Sequence, residues 1–122
     1  MYNTDTETGK VVRYSSRRKN IQTIQHVKNT GQGMYREPIY ITENCNGDVI
    51  VSDYNHAVVV TDRDGKYRFS YTGHPLGSRI RPLGICTDKQ SHILVGDFIT
   101  RSVHIVDENG HFLLQMWTVY TV

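Results

Sequence analysis

The sequence predicts an all-β fold, a partial β-propeller built of four-stranded antiparallel blades, on three observations. The chain repeats itself. Pro38 pairs with Pro82, Ile41 with Ile85, Val51 with Val95 and Asp53 with Asp97, each at a separation of 44 residues. After one inserted residue, Val58 pairs with Val103, Asp62 with Asp107 and Gly65 with Gly110, at 45. Each repeat holds four short runs rich in β-branched and aromatic residues, and no pattern of helical period competes with them. Four such strands in every ~45 residues is the signature of propeller blades.

The elements follow in order. Residues 1–8, MYNTDTET, read as a loose polar lead. Residues 9–28 read as half a blade, its last two strands being KVVRYS (10–15) and NIQTIQHV (20–27), with Arg17, Arg18 and Lys19 in a solvated turn. The first full blade, 29–72, offers IYIT (39–42), DVIVS (48–52), AVVVTD (57–62) and KYRFSYT (66–72). The second, 73–118, offers LGICT (83–87), HILVG (92–96), SVHIVD (102–107) and HFLLQMW (111–117), before a short tail at 119–122. Ile24, Phe69 and Leu114, 45 apart, align the three outer strands. Asn46-Gly47, Asp64-Gly65 and Asn109-Gly110 tolerate the positive φ values of two-residue hairpins. Tyr67, Phe69 and Tyr71 alternate, as do Phe112, Leu114 and Met116, so both outer strands are expected to pack on a neighbouring blade. Trp117 is expected to be exposed.

Composition narrows the function classes. A net charge of +2 is too mild to demand nucleic acid or an anionic membrane. No apolar stretch approaches the ~18 residues of a membrane span, and the polar start lacks the basic and apolar regions of a signal peptide. No membrane partner and a cytoplasmic location are therefore expected. Cys45 and Cys86 stand far apart without CxxC or Cys-His spacing, which argues against zinc. Cys86 is expected to be a buried thiol and Cys45 an exposed one. Neither a phosphate-binding Gly-rich loop, a GxSxG elbow nor an HExxH motif is present, so no cofactor, metal or catalytic residue is predicted.

Blade geometry sorts charges by end. The loop between second and third strands lies at the same end as the crossover joining blades, and the hairpin turns lie at the other. The crossover end collects Lys28, Arg36, Arg79, Arg81 and Arg101 against Glu37, Asp53 and Asp97, whereas the turn end is acidic. Candidate partner-binding residues on this basic end are Arg36, Tyr54, His56, His74, Arg79, Arg81, Phe98 and Arg101. Tyr35, Tyr54 and Phe98 could stack unpaired bases beside RNA phosphates. Asp53 and Asp97 each open a loop, where a carboxylate accepts backbone N–H bonds.

The residues also carry a resemblance. The P-x-x-I start at Pro38, the run NHAVVV (55–60) and DRDGK (62–66) resemble the NHL repeat, with Ala57 in its third eponymous place. KYRFSYTGHP (66–75), GICTDKQSHIL (84–94) and VHIVDENGHFL (103–113) are similar to the C-terminal NHL region of tripartite-motif (TRIM) proteins. The second copy departs from it, with Ile99-Thr100-Arg101 where the first has Asn55-His56. This resemblance implies a non-catalytic interaction module recognising protein partners, as the substrate-selecting part of a TRIM-like ubiquitin ligase. Ligase activity would require a longer parent carrying a RING. It also implies RNA as an alternative partner, since some relatives bind RNA. Propeller lyases and lactonases draw acidic and His ligands from several blades, and two blades cannot encircle an ion, so the chain is expected not to be an enzyme; a fragment of a propeller lyase or lactonase is the third, less favoured alternative. NHL propellers usually have six blades. A chain of two and a half is expected to be a fragment of a larger product or to self-associate through its terminal blades.

Overall fold

A computed structural model describes residues 2–5, 10–14, 20–24, 35–75 and 77–117, the first three stretches as backbone strands. Eleven strands form three antiparallel sheets, and no helix occurs among the described residues. The first sheet holds β1 (Tyr2–Asp5), β2 (Lys10–Tyr14) and β3 (Asn20–Ile24). The second holds β4 (Pro38–Glu43), β5 (Val49–Asp53), β6 (Ala57–Thr61) and β7 (Tyr67–Tyr71). The third holds β8 (Pro82–Thr87), β9 (Ile93–Asp97), β10 (Ser102–Val106) and β11 (Phe112–Trp117). In both four-stranded sheets the spatial order is the chain order, and the innermost strands β4 and β8 approach one another. The chain is an all-β partial propeller.

Register supports the repeat and corrects its edges. Val51 faces Val59 across β5 and β6, and Val95 faces His104 across β9 and β10, as the separations of 44 and 45 require. Tyr2–Asp5, expected as a loose lead, is instead a strand, with Asp5 opposite Lys10 as Asp53 is opposite Ala57. In the first sheet Ile24 faces Val11, the place Tyr71 holds opposite Val58, so Ile24 corresponds to Tyr71 and not to Phe69. The crossover from β3 to β4 is longer than that from β7 to β8, which breaks the 45-residue spacing.

The turns are three-residue loops, one residue longer than expected. Asp62 donates its N–H to the Lys66 carbonyl (2.8 Å), and Asp107 does the same to His111 (2.8 Å). Gly65 and Gly110 take φ of 83° and 90° at the left-handed position such loops demand. In the turn after β8, Ser91 takes that position with φ 65°. The Asp62, Asp88 and Asp107 carboxylates each accept two further N–H groups of their own turn, which explains why an acidic residue opens these three, while Asn44 opens the turn after β4 and accepts the Cys45 N–H.

Burial makes the two four-stranded sheets unlike. Every residue of β5 and β6 is buried, because the second sheet is covered on both faces. One face holds Tyr35, Val49, Val51, Ala57 and Val59. The other holds Ile50, Val58, Val60 and Tyr71, packed on Ile80, Ile93, Val95 and Val106 of the third sheet's unit. Strands β9 and β10 instead alternate buried and half-buried, so among the described residues one face of the third sheet is covered and the other is more open. Phe69 and Tyr71 pack between the sheets as expected. Leu114 and Met116 do not: each is 47% exposed, and Trp117 is 63% exposed. Cys86, expected in the core, is also exposed, because it sits on the uncovered face opposite Leu94. At the turn end, Asn44 Nδ2 donates to the Ser91 carbonyl (2.9 Å), and Arg68 links Asp48 to the Glu108 carbonyl and Asn109, so polar bonds close the rim of the same interface.

Candidate partner-binding face

Two aspartates build the crossover end. Asp53 ends β5 with its side chain fully buried, and accepts N–H bonds from Arg36 (3.0 Å) and Glu37 (2.5 Å) of the incoming crossover. Asp97, 44 residues on, accepts the Arg81 N–H (3.0 Å), the Ile99 N–H (3.0 Å) and the Thr100 hydroxyl (2.7 Å). The flanking backbone repeats as well, with Tyr54 N–H donating to Glu37 and Phe98 N–H to Arg81, both at 3.0 Å. Each carboxylate thus holds an incoming crossover; the bonds to its own loop expected from sequence are made by Asp97 through Ile99 and Thr100, while the Asp53 side chain bonds the crossover. Burial works to raise the Asp97 carboxyl. The bonds from Arg81, Thr100 and Ile99, with the neighbouring His104, outweigh it and hold the group below its ordinary value.

With both carboxylates buried and engaged, the solvent-facing charge of this end becomes more cationic than the bare count. Arg36, Arg79 and Arg101 are exposed and Arg81 half-buried, against exposed Glu37. Lys28 lies outside the described residues. The Arg81 guanidinium sits 5.7 Å from the Tyr54 ring centroid, a cation–π contact that joins the second sheet's loop to the third sheet's crossover. His56 is half-buried beside it in sequence, in the tight loop where Asn55 takes φ 67°. Phe98 and Ile99 are each 50% exposed. A hollow of about 430 Å³ opens beside Phe98, lined by Leu83, Gly96, Phe98 and Val103 with the polar Asp97, Arg101 and Ser102.

Two aromatic residues of the expected face are elsewhere. Tyr35 is 4% exposed and packs against Val49 and Val51, so it is core and presents no ring to a base. Burial, with Asp53 adding to it, pushes its hydroxyl well above the ordinary range. His74 turns away from the arginines and stacks on Phe112, with ring centroids 4.0 Å apart and planes 2° from parallel.

Sequence reasoning missed a polar cluster between the sheets. His104, 2% exposed, approaches the Tyr71 hydroxyl through Nδ1 at 2.6 Å, while its Nε2 lies 3.5 Å from Asp97 and has no hydrogen-bond partner. Its position gave a signal, since it alternates with Val103 and Ile105 and so shares its face with Ser102 and Val106. Burial, and secondarily Asp97, pushes the Tyr71 hydroxyl up to about 12. Burial lowers the His104 value, against the pull of Asp97 and with help from His74. A lowered histidine stabilises the fold while it is neutral. This contribution is complete above its ordinary value of 6.5 and is lost as pH falls below it. The midpoint of thermal unfolding should therefore fall between pH 7.5 and 5, and His104→Gln should flatten that fall. A midpoint that rises on acidification would contradict this.

No protein-family model matches the chain, and no curated protein matches it. Among solved structures, the chain resembles a catalytically inactive virginiamycin B lyase from Staphylococcus aureus with Quinupristin. It does so at a TM-score of 0.75 and 13% identity, over 98% of this chain and 38% of that one. A streptogramin B lyase structure gives 0.72 and 17%, over 96% and 36%. At such identities the likeness shows the fold. The chain spans less than two-fifths of the length of those lyases. The expectation that the chain is no enzyme is corrected by this finding. The same sheets in the same arrangement form part of enzymes, so this fold is no mark of a non-catalytic module.

Proposed function

We propose that residues 35–117 form a partner-binding segment of a larger β-propeller, and that the crossover end recognises a protein bearing an acidic and apolar stretch. The observation that carries the reading is the double aspartate tie. Asp53 and Asp97 hold two successive crossovers in one register, which places Arg36, Arg79, Arg81 and Arg101 at the same end of two sheets as half-exposed Phe98 and Ile99. A largely apolar hollow with Arg101 in its lining, at the end that also carries the crossover arginines, suits a peptide carboxylate next to an aliphatic or aromatic side chain. The NHL-type motifs support the same reading, with selection of a substrate for ubiquitin transfer as its finer form in a longer parent. RNA is less well supported, because Tyr35 is buried and the Tyr54 ring is already engaged by Arg81.

The test is a binding comparison of the chain with the variant Arg79→Ala/Arg81→Ala, on immobilised acidic peptides carrying one Leu or Phe and on single-stranded RNA of equal charge. The expected result is peptide retention that weakens about tenfold or more in the variant. Retention of RNA alone, with a salt slope that drops in the variant, would replace this reading with the nucleic-acid one.

A further inference from the structure

His104 stands where the other repeat has an aliphatic residue. Val51 faces Val59 across the middle strands of the second sheet, and Val95 faces His104 across those of the third. The imidazole is 2% exposed between the two sheets. Tyr71 of β7 reaches its Nδ1 at 2.6 Å, Asp97 at the end of β9 lies 3.5 Å from its Nε2, and the Phe112 ring of β11 lies edge-on at 6.2 Å. Gln115, opposite on β11, is uncharged. With His74 of the crossover, Tyr71 and Asp97 are the titratable groups set against it among the described residues. The two oxygens of Asp97 have separate partners. Oδ1 accepts the Arg81 and Ile99 N–H groups, both at 3.0 Å. Oδ2 accepts the Thr100 hydroxyl at 2.7 Å, and it is the oxygen that His104 Nε2 faces without bonding.

We propose that His104 is a pH-sensitive switch on the crossover end: its protonation draws Asp97 Oδ2 away from Thr100 and releases the loop 98–101, while Oδ1 keeps the Arg81 crossover in place. In the neutral ring the Tyr71 hydroxyl donates to Nδ1. This tautomer points the Nε2–H at the carboxylate, whereas the other would set a lone pair against it. A second proton lands on Nδ1 and makes the ring a cation. A buried cation so near a carboxylate closes on it, because a charge-assisted bond offsets its desolvation. Thr100 is then left with the Ser102 hydroxyl, which it already contacts. Burial outweighs Asp97 at His104, so the ring charges below its ordinary value of 6.5 and the loop is held at neutral pH. The second sheet has no counterpart, since Val59 does not titrate and both Asp53 oxygens go to the crossover. The effect on binding rests on the partner-binding function proposed for this end; the movement of the loop does not.

Amide and ring-proton NMR of the 122-residue chain between pH 7.5 and 5, with retention on the acidic Leu or Phe peptides followed over the same range, tests this. The Ile99, Thr100 and Arg101 amides are expected to move with the midpoint of the His104 ring protons, while the Arg36 and Glu37 amides bound to Asp53 stay still. Peptide affinity is expected to fall about tenfold across that midpoint, a usual size for coupling between two sites. Charge alone predicts the opposite sign, because His56 at the same end becomes cationic in acid. His104→Gln should remove both effects, and Thr100→Val should bind weakly at every pH. Loop amides that follow His104 in a chain that retains no peptide at pH 7.5 would support the switch and refute the peptide as partner. Loop amides that ignore the His104 midpoint, or peptide retention that persists undiminished to pH 5, would overturn the switch. The amide shifts of the unaltered chain decide the matter even if His104→Gln fails to fold.

Discussion

Replacing Asp53 with alanine is expected to destabilise the chain by roughly 3 kcal/mol, since two backbone donors lose a buried, charged acceptor. The Arg36 and Glu37 N–H groups donate to the carboxylate of Asp53, a residue 0% exposed. Asp53→Asn keeps one acceptor oxygen and should cost less than the alanine. Urea unfolding at neutral pH measures both. Asp97→Ala should behave alike, because Arg81 and Ile99 lose the equivalent bonds. Loss of either tie also frees a crossover, so binding at the crossover end should weaken in proportion. An Asp53→Ala chain as stable as the original would show that the crossover is held by other contacts.

Ile50→Ala is expected to cost about 2–5 kcal/mol, the range for a fully buried aliphatic side chain whose surroundings do not collapse into the gap. Ile50 is 0% exposed and lies between the second and third sheets. Leu94 holds the equivalent position one repeat later but is half-exposed on the uncovered face. In dilute solution Leu94→Ala should therefore cost less than about 1 kcal/mol. The pair is informative because sequence position in the repeat is held constant while coverage changes. Equal losses at both sites would mean that the third sheet is covered in the isolated chain. Negligible losses at both would mean that the sheets do not stack as described.

The fold was legible in the chain because its signals were redundant. Spacing, turn residues and period-two alternation all pointed to the same strands from Pro38 to Trp117, and Asp53 and Asp97 recur for a single physical reason. The first sheet was read less well. Its crossover differs in length, so a fixed period placed Ile24 one pair away from its true register, and the polar run YNTD gave no alternation by which to see β1. Side-chain direction was the second gap. Alternation tells which residues share a face but not which face is covered, and for that reason Cys86, Leu114 and Met116 were placed in a core they do not reach. Tyr35 erred the other way, since a residue in a crossover can plug a sheet interface, as Ile80 does one repeat on. The Tyr71–His104 contact joins residues 33 apart on different sheets, and no local pattern encodes it.

The second and third sheets lie face to face as successive units. Proton–proton contacts in a solution NMR spectrum test that most directly, using the rings of Tyr71 and His104, whose centroids are 5.7 Å apart and which belong to different sheets. Cross-peaks between these rings, together with cross-peaks from Ile80 methyls to Gly73, are the expected result. Tyr71 ring protons without cross-peaks to the His104 ring would contradict the stacked arrangement.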